Sequence, residues 1–392
     1  MKYKYQLIAL GSDTAVMQKL LNLCAKKVEE LNLPSESLKI IDRNNFKQEY
    51  LGNQPSFAYY FGDEKGNFRD TDIAKQLLED GCMILPIYFT KESFSKEIPK
   101  ILENQNAIQY KEIEENRIVN IALEAFELLR STRKVFISYK RNESTSVAIQ
   151  LFEALEAHNF DVFLDTHSVG KGQPFQDELW HRMTDCDVIL LLNTPTFLKS
   201  HWCKEEFAEA GAKQIGIVQL VWPNHNIKLD NTSHISYPKQ LTVENFENAV
   251  FDNKDLAKLK TDVVEKIIEE VESVRARNLA ARQDSLITEF RNIAERAGRQ
   301  IVVQPERFLT EDLPTGMRRI FIPTIGIPQS NSWQTAEIKN EMNSGKVSIR
   351  LIYDDLRIRE KWINHLDWLN EKLNVDIKTL KKQEFESWLL KN

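Results

Sequence analysis

Along the N-terminal part of the chain, apolar runs of strand length alternate with apolar stripes of helical period. Tyr5 to Leu10 is an apolar run that stops at Gly11-Ser12-Asp13, and from Ala15 to Leu31 apolar residues recur at Val16, Leu20, Leu23 and Val28, one face of a helix. Strands at Ser37 to Ile41 and Phe57 to Phe61 follow, then a helix from Asp72 to Asp80, a buried strand Cys82 to Phe89 and a helix from Arg117 to Leu129. Strands separated by helices predict a doubly wound, largely parallel sheet.

After Arg133 the alternation restarts. Strand Val135 to Ser138 leads to helix Ser146 to His158, strand Asp161 to Leu164, helix Phe175 to Asp185, strand Val188 to Leu192, helix Cys203 to Lys213 and strand Ile215 to Val221. Asn231 to Asn248 is polar and reads as loop, with a last short strand near Ala249 to Phe251. From Asp255 to Arg296 the chain is helix formers and charge, with an apolar stripe at Leu256, Leu259, Val263, Ile267, Val271 and Val274. A heptad pattern fails from Arg275 to Arg282, so this segment reads as a connecting helix rather than a coiled coil.

A third, smaller α/β unit closes the chain: strand Arg319 to Thr324, helix Thr335 to Met342, strand Val347 to Tyr353, helix Arg359 to Leu373, strand Asp376 to Thr379 and helix Gln383 to Leu390. Trp362 and Trp368 lie at helical spacing with Ile363 and Leu366 and read as core. The expected domains are residues 1–130, an N-terminal α/β domain; 131–275, a second α/β domain; and 276–392, a helical linker with the smaller α/β domain.

Composition fits that reading. At 392 residues the chain has length for two or three domains, and 42% hydrophobic with 28% charged residues lets each bury a core, as in a soluble globular protein. A net charge of -6 is the wrong sign for general nucleic-acid binding. No run approaches the ~18 apolar residues of a membrane span, and the apolar run from Leu7 to Leu10 reads as a strand rather than a signal peptide. Cys24, Cys82, Cys186 and Cys203 show no metal-binding or redox spacing, which points to reduced, buried thiols in a cytoplasmic protein.

In open parallel sheets ligands bind beyond the carboxyl ends of the strands, and the second unit is richest in chemistry there. Its first strand runs into Tyr139-Lys140-Arg141-Asn142, two adjacent cations suited to a pyrophosphate. Its second ends at Asp165 before a loop with Gly170 and Gly172. Ser200 is a helix N-cap, and Trp202 and Glu206, spaced i, i+4, share one face near the helix start, whereas Glu205 points about 100° away. His167, His181 and His201 lack ligand spacing and read as surface or satisfied side chains. The Gly11-Ser12 turn lacks a full GxGxxG and reads as structural.

I-S-Y-K-R-N (Ile137 to Asn142), F-L-D with its glycine-bearing loop (Phe163 to Gly172) and S-x-W-C-x-x-E (Ser200 to Glu206) resemble, in order and spacing, the TIR domain family. The resemblance, which covers roughly a third of the chain, implies a flavodoxin-like, doubly wound parallel sheet for the second unit; the two flanking α/β units read as TIR-like or Rossmann-like folds without the catalytic glutamate. The family divides into scaffolds, such as those of Toll-like receptors and their adaptors, and NAD-cleaving enzymes, including bacterial anti-phage effectors. Carried onto this sequence, the enzymatic branch makes Glu206 the catalytic carboxylate, lines the NAD+ site with Tyr139, Lys140 and Arg141, stacks Phe175 near the base and packs Trp202 beside Glu206. It makes NAD+ a substrate rather than a cofactor, requires no metal, and uses the loop of Gly170 and Gly172 to dock one copy on the next in a homo-oligomer or filament. An activating ligand or protein would then act on the N- or C-terminal domain. The alternative is a non-enzymatic scaffold for TIR–TIR assembly.

Overall fold

A computed structural model describes residues 4–12, 14–31, 33–52, 54–90, 94–164, 181–197, 215–225, 236–304, 307–342, 347–356, 358–373 and 376–392. The chain divides into two compact units, Met1–Ser131 and Thr132–Asn392.

The first unit is built on β1 (Tyr5–Gly11), α1 (Ala15–Glu30), β2 (Leu38–Ile41), β3 (Ser56–Phe61), α2 (Thr71–Glu79), β4 (Met83–Tyr88), β5 (Ile108–Gln109) and α3 (Glu115–Ala125). Its five strands are all parallel, in the order β2-β1-β3-β4-β5. Apolar side chains on both faces explain why the strands read as continuous runs rather than alternations. Helix α1 buries Met17, Leu20, Leu21, Cys24 and Val28, a face turned slightly from the expected one, since Val16 and Leu23 are only half-buried. Thr14 caps it by accepting the Met17 amide.

The second unit carries two sheets. The first contains β6 (Lys134–Ser138), α4 (Arg141–Ala157), β7 (Asp161–Leu164), β8 (Val188–Asn193), β9 (Gly216–Val221) and β10 (Tyr237–Gln240), with parallel strands in the order β10-β9-β8-β6-β7. This is the strand order of the N-terminal sheet, so both are flavodoxin-like. Strand β10 falls within the stretch read as loop, and no strand forms at Ala249 to Phe251, where Ala249 is the last residue of a 3-10 turn. Its sequence, Tyr-Pro-Lys-Gln, is exposed and lacks alternation; Pro238, having no N–H, is tolerated because this is an edge strand.

Helix α5 (Thr261–Arg296) follows, 36 residues without a break through the expected 275/276 boundary. Val263, Val264, Ile267, Ile268, Val271 and Val274 pack on the β6–β9 sheet, as the stripe predicts; Leu256 precedes the helix and is exposed. Further along, Leu286, Ile287, Phe290 and Ala294 enter the core of the last sheet. That sheet joins β11 (Val302–Val303), β12 (Leu309–Asp312), β13 (Arg318–Thr324), β14 (Val347–Tyr353) and β15 (Ile377–Lys381), with helices α6 (Ser330–Met342), α7 (Glu360–Lys372) and α8 (Phe385–Lys391). Strands β13 to β15 are parallel; β11 and β12, absent from the sequence reading, pair antiparallel at the edge.

The core assignment of Trp362 and Trp368 is corrected: they are 40% and 52% exposed. Helix α7 has one inward stripe, and Ile363, Leu366 and Leu369 fill it. Trp362 instead stacks on His181, 6.0 Å between ring centroids, and Trp368 stacks on His365. Among the described residues no helix is long and apolar enough to cross a membrane.

Candidate functional site

The strand order places a topological switch point in each of the two flavodoxin-like sheets, between β1 and β3 and between β6 and β8, where adjoining connections depart in opposite directions and leave a crevice.

In the first unit that crevice is filled by the protein's own groups. Gly11, at φ 87°, brings β1 so close to β3 that a Cβ there would stand 2.1 Å from the Phe61 carbonyl oxygen. The Gly11 amide donates to Asp70 Oδ2 (2.9 Å), the Ser12 hydroxyl to Asp63 Oδ2 (3.0 Å), and Arg43 Nη2 to the Gly11 carbonyl (2.8 Å). The turn is structural.

Between β6 and β8 the arrangement differs. Strand β6 ends at buried Ser138, and Tyr139 turns its ring into the core with Val147 and Leu151. Lys140 is the N-cap residue of α4, and its ammonium reaches across the switch point to the segment after β8. There it donates to the Thr196 hydroxyl, lies 3.4 Å from the Thr196 carbonyl oxygen, and pairs with Glu143 Oε1 at 2.8 Å. The Thr196 hydroxyl in turn donates to the same carboxylate oxygen, closing a triangle of lysine, threonine and glutamate. Burial alone would raise the Glu143 pKa; hydrogen bonds from Lys140 and Thr196 and the lysine charge outweigh it and bring the value down to about 2. Arg141 is exposed and, among the described residues, pairs with no carboxylate.

The helix start is shaped for this contact. Helix α4 begins at Arg141, not Ser146, but Ser144 (φ -146°, ψ 28°) interrupts it after one turn. The Ser144 hydroxyl bonds back to the Lys140 carbonyl (3.4 Å) and that of Thr145 to the Arg141 carbonyl (2.6 Å), the competition with helical bonding typical of hydroxyl side chains. The amide of Ser146, where the sequence puts the helix start, donates to the Lys254 carbonyl (2.8 Å).

The opposite, amino-terminal end of the sheet is pinned by ion pairs. Arg275 Nε and Asp187 Oδ2, both fully buried, meet at 3.0 Å, and Asp187 also accepts the Lys134 amide at 3.1 Å. Arg133 pairs with buried Glu272, and Lys134 with Asp185. His181 is satisfied as well as buried, accepting the Arg359 amide at Nδ1 (3.4 Å).

Of the expected site residues, the structure brings Lys140 and Arg141 to the crevice and turns the Tyr139 ring into the core. Phe175, Trp202, Gly170, Gly172 and Glu206 lie outside the described residues, as do His167, His201 and Cys203. Cys24, Cys82 and Cys186 are buried and form no disulfide, and burial pushes the Cys24 thiol up to about 12. Glu143 and Thr196 were missed by the sequence reading; the i, i+3 spacing of Lys140 and Glu143 was the available signal for the first. Thr196 had none, because its partner is distant in sequence.

A family model described as TIR domain matches residues 135–259. The stretch from β6 through β10 is therefore a TIR domain, occupying about a third of the chain. No curated protein matches the chain.

Proposed function

We propose that this TIR domain cleaves NAD+ at its nicotinamide bond, with Glu206 as the carboxylate that stabilises the developing ribosyl cation. The observation that carries the reading is the S-x-W-C-x-x-E motif at Ser200 to Glu206, within a TIR domain whose switch-point crevice has Lys140 and Arg141 at its lip. Nicotinamide is a good leaving group once the ribose carbon gains oxocarbenium character, so the chemistry asks for little more than a placed carboxylate and a bound pyrophosphate. Water capturing that carbon gives ADP-ribose; capture by the adenine or a ribose hydroxyl gives a cyclic isomer. NAD+ is the substrate, and the reaction uses no cofactor or metal.

In this reading Phe175 and Trp202 flank the base and the carboxylate, Tyr139 supports the site from the core, and the loop of Gly170 and Gly172 docks on a neighbouring copy. Assembly into a homo-oligomer or filament completes the site, as suits a cytoplasmic defence effector whose N-terminal unit or C-terminal sheet receives the trigger.

The test is nicotinamide release from NAD+ by wild type and Glu206→Ala across a range of protein concentrations. Release by wild type that rises faster than linearly with concentration, and is lost in a normally folded Glu206→Ala, supports the reading. Wild type that leaves NAD+ intact even when crowded points instead to the scaffold alternative, in which Glu206→Ala is harmless.

A further inference from the structure

The lysine of the Tyr139-Lys140-Arg141 run is not a free cation. Its ammonium meets the Glu143 carboxylate and the Thr196 hydroxyl, which also bond to each other, so the lysine charge is compensated where it stands. The triangle joins the residues after β6 to those after β8, the two strands whose carboxyl ends form the crevice. Arg141, one residue on, keeps its charge for solvent or a ligand.

We propose that Glu143 and Thr196 are positioning residues: they clasp Lys140 across the switch point, so that a diphosphate-bearing substrate meets a fixed, charge-compensated lysine while Arg141 supplies the uncompensated positive charge. The proposal deepens the NAD+ reading and rests on it for the identity of the substrate; the clasp itself does not.

A free lysine loses side-chain entropy when a phosphate orders it, whereas a clasped one has lost it already. The ammonium meets Glu143, the Thr196 hydroxyl and, at a long 3.4 Å, the Thr196 carbonyl, so a phosphate oxygen that displaces the carbonyl, the weakest of the three, meets a lysine already aimed. Compensating the charge weakens ground-state attraction for an anion, and fixing the geometry favours the arrangement in which bond cleavage occurs. The two effects carry opposite signs in KM and kcat, which a purely structural role does not produce.

Two measurements on the 392-residue chain test this. In the first, Lys140 is acetylated with limiting acetic anhydride and its labelling is followed by peptide mass spectrometry. Glu143→Gln and Thr196→Val are expected to raise its labelling several-fold without changing that of exposed Lys258; equal labelling in wild type and both variants overturns the clasp whatever NAD+ does. In the second, nicotinamide release by Glu143→Gln is expected to show a lower KM for NAD+ and a kcat reduced roughly tenfold. A lowered KM with unchanged kcat overturns positioning, and a parallel loss in kcat and folded fraction reduces Glu143 to a structural residue. Raised labelling in the two variants beside a wild type that releases no nicotinamide upholds the clasp and sinks only the enzymatic reading.

Discussion

Arg275 and Asp187 illustrate how little of a residue's role its identity discloses. In the sequence Arg275 marks the place where a heptad pattern fails; in the fold it is fully buried against Asp187. Both charges are compensated, and truncating one strands the other in a low-dielectric interior. Arg275→Ala should therefore cost about 3–5 kcal/mol, read as a lowered denaturation midpoint in urea; a loss below about 1 kcal/mol, the scale of an exposed pair, would contradict the burial. Glu143 behaves differently because it lies at the crevice lip. Its folded pKa, about 2 against an ordinary 4.5, is depressed, so the stability it contributes is full above the ordinary value and is lost as pH falls from there toward about 2. A profile of nicotinamide release between pH 5 and 9 should accordingly look the same in wild type and Glu143→Gln apart from its height. A limb near pH 6 present only in wild type would mean that the carboxylate titrates there and is not clasped.

At the scale of elements, what the sequence discloses depends on burial. Strand β8, buried at every residue, is an almost unbroken apolar run, and β14 alternates over Val347–Leu351 before a buried apolar end; both are legible to within a residue or two, whereas β10 and β11 are exposed edge strands of four and two residues without periodicity to read. Trp362 and Trp368 lie outside the core for a related reason: helical spacing identifies a face but not its partner, and here the partners are His181, on a segment distant in sequence, and His365. The Lys140 clasp was hidden in the same way, since half of it comes from the segment after β8. Packing between elements makes its own prediction at Gly216, the first residue of β9. A Cβ there would lie 2.5 Å from Val274 Cγ1 and 2.8 Å from Asn278 Nδ2, both on α5. Val274 is buried and β-branched, with little freedom to move aside. Gly216→Ala should destabilise by about 1–3 kcal/mol, whereas Gly52→Ala, which meets nothing within 4 Å, should be close to neutral in the same thermal melt. Equal effects at the two sites would show that α5 does not approach β9 this closely.

For the molecule as a whole, α5 decides how the TIR domain and the last sheet are coupled. Its first half fills the TIR core and its second half the core under β13 and β14, so neither sheet has a complete core without it. Side contacts reinforce the join: Arg282 donates to the Thr184 and Cys186 carbonyls, the Ile327 amide to Asp185 Oδ1 at 3.1 Å, and Trp362 stacks on His181. These partners lie in residues 181–186, immediately after the segment that carries Gly170, Gly172 and Phe175. A chain cut at 275/276 would leave each half with an incomplete core and a frayed helix end. Residues 132–392 are thus expected to unfold as one cooperative block, and the full chain to add a second transition from the compact unit Met1–Ser131. Differential scanning calorimetry of residues 132–392 separates the possibilities. A single peak whose calorimetric and van't Hoff enthalpies agree is the expected result, and Ile287→Ala, on the far half of α5, should shift that whole peak downward. Two resolved peaks, with Ile287→Ala moving only one, would show that α5 joins the two sheets without coupling them, and that a trigger received by the last sheet has no cooperative route through the helix to the TIR domain.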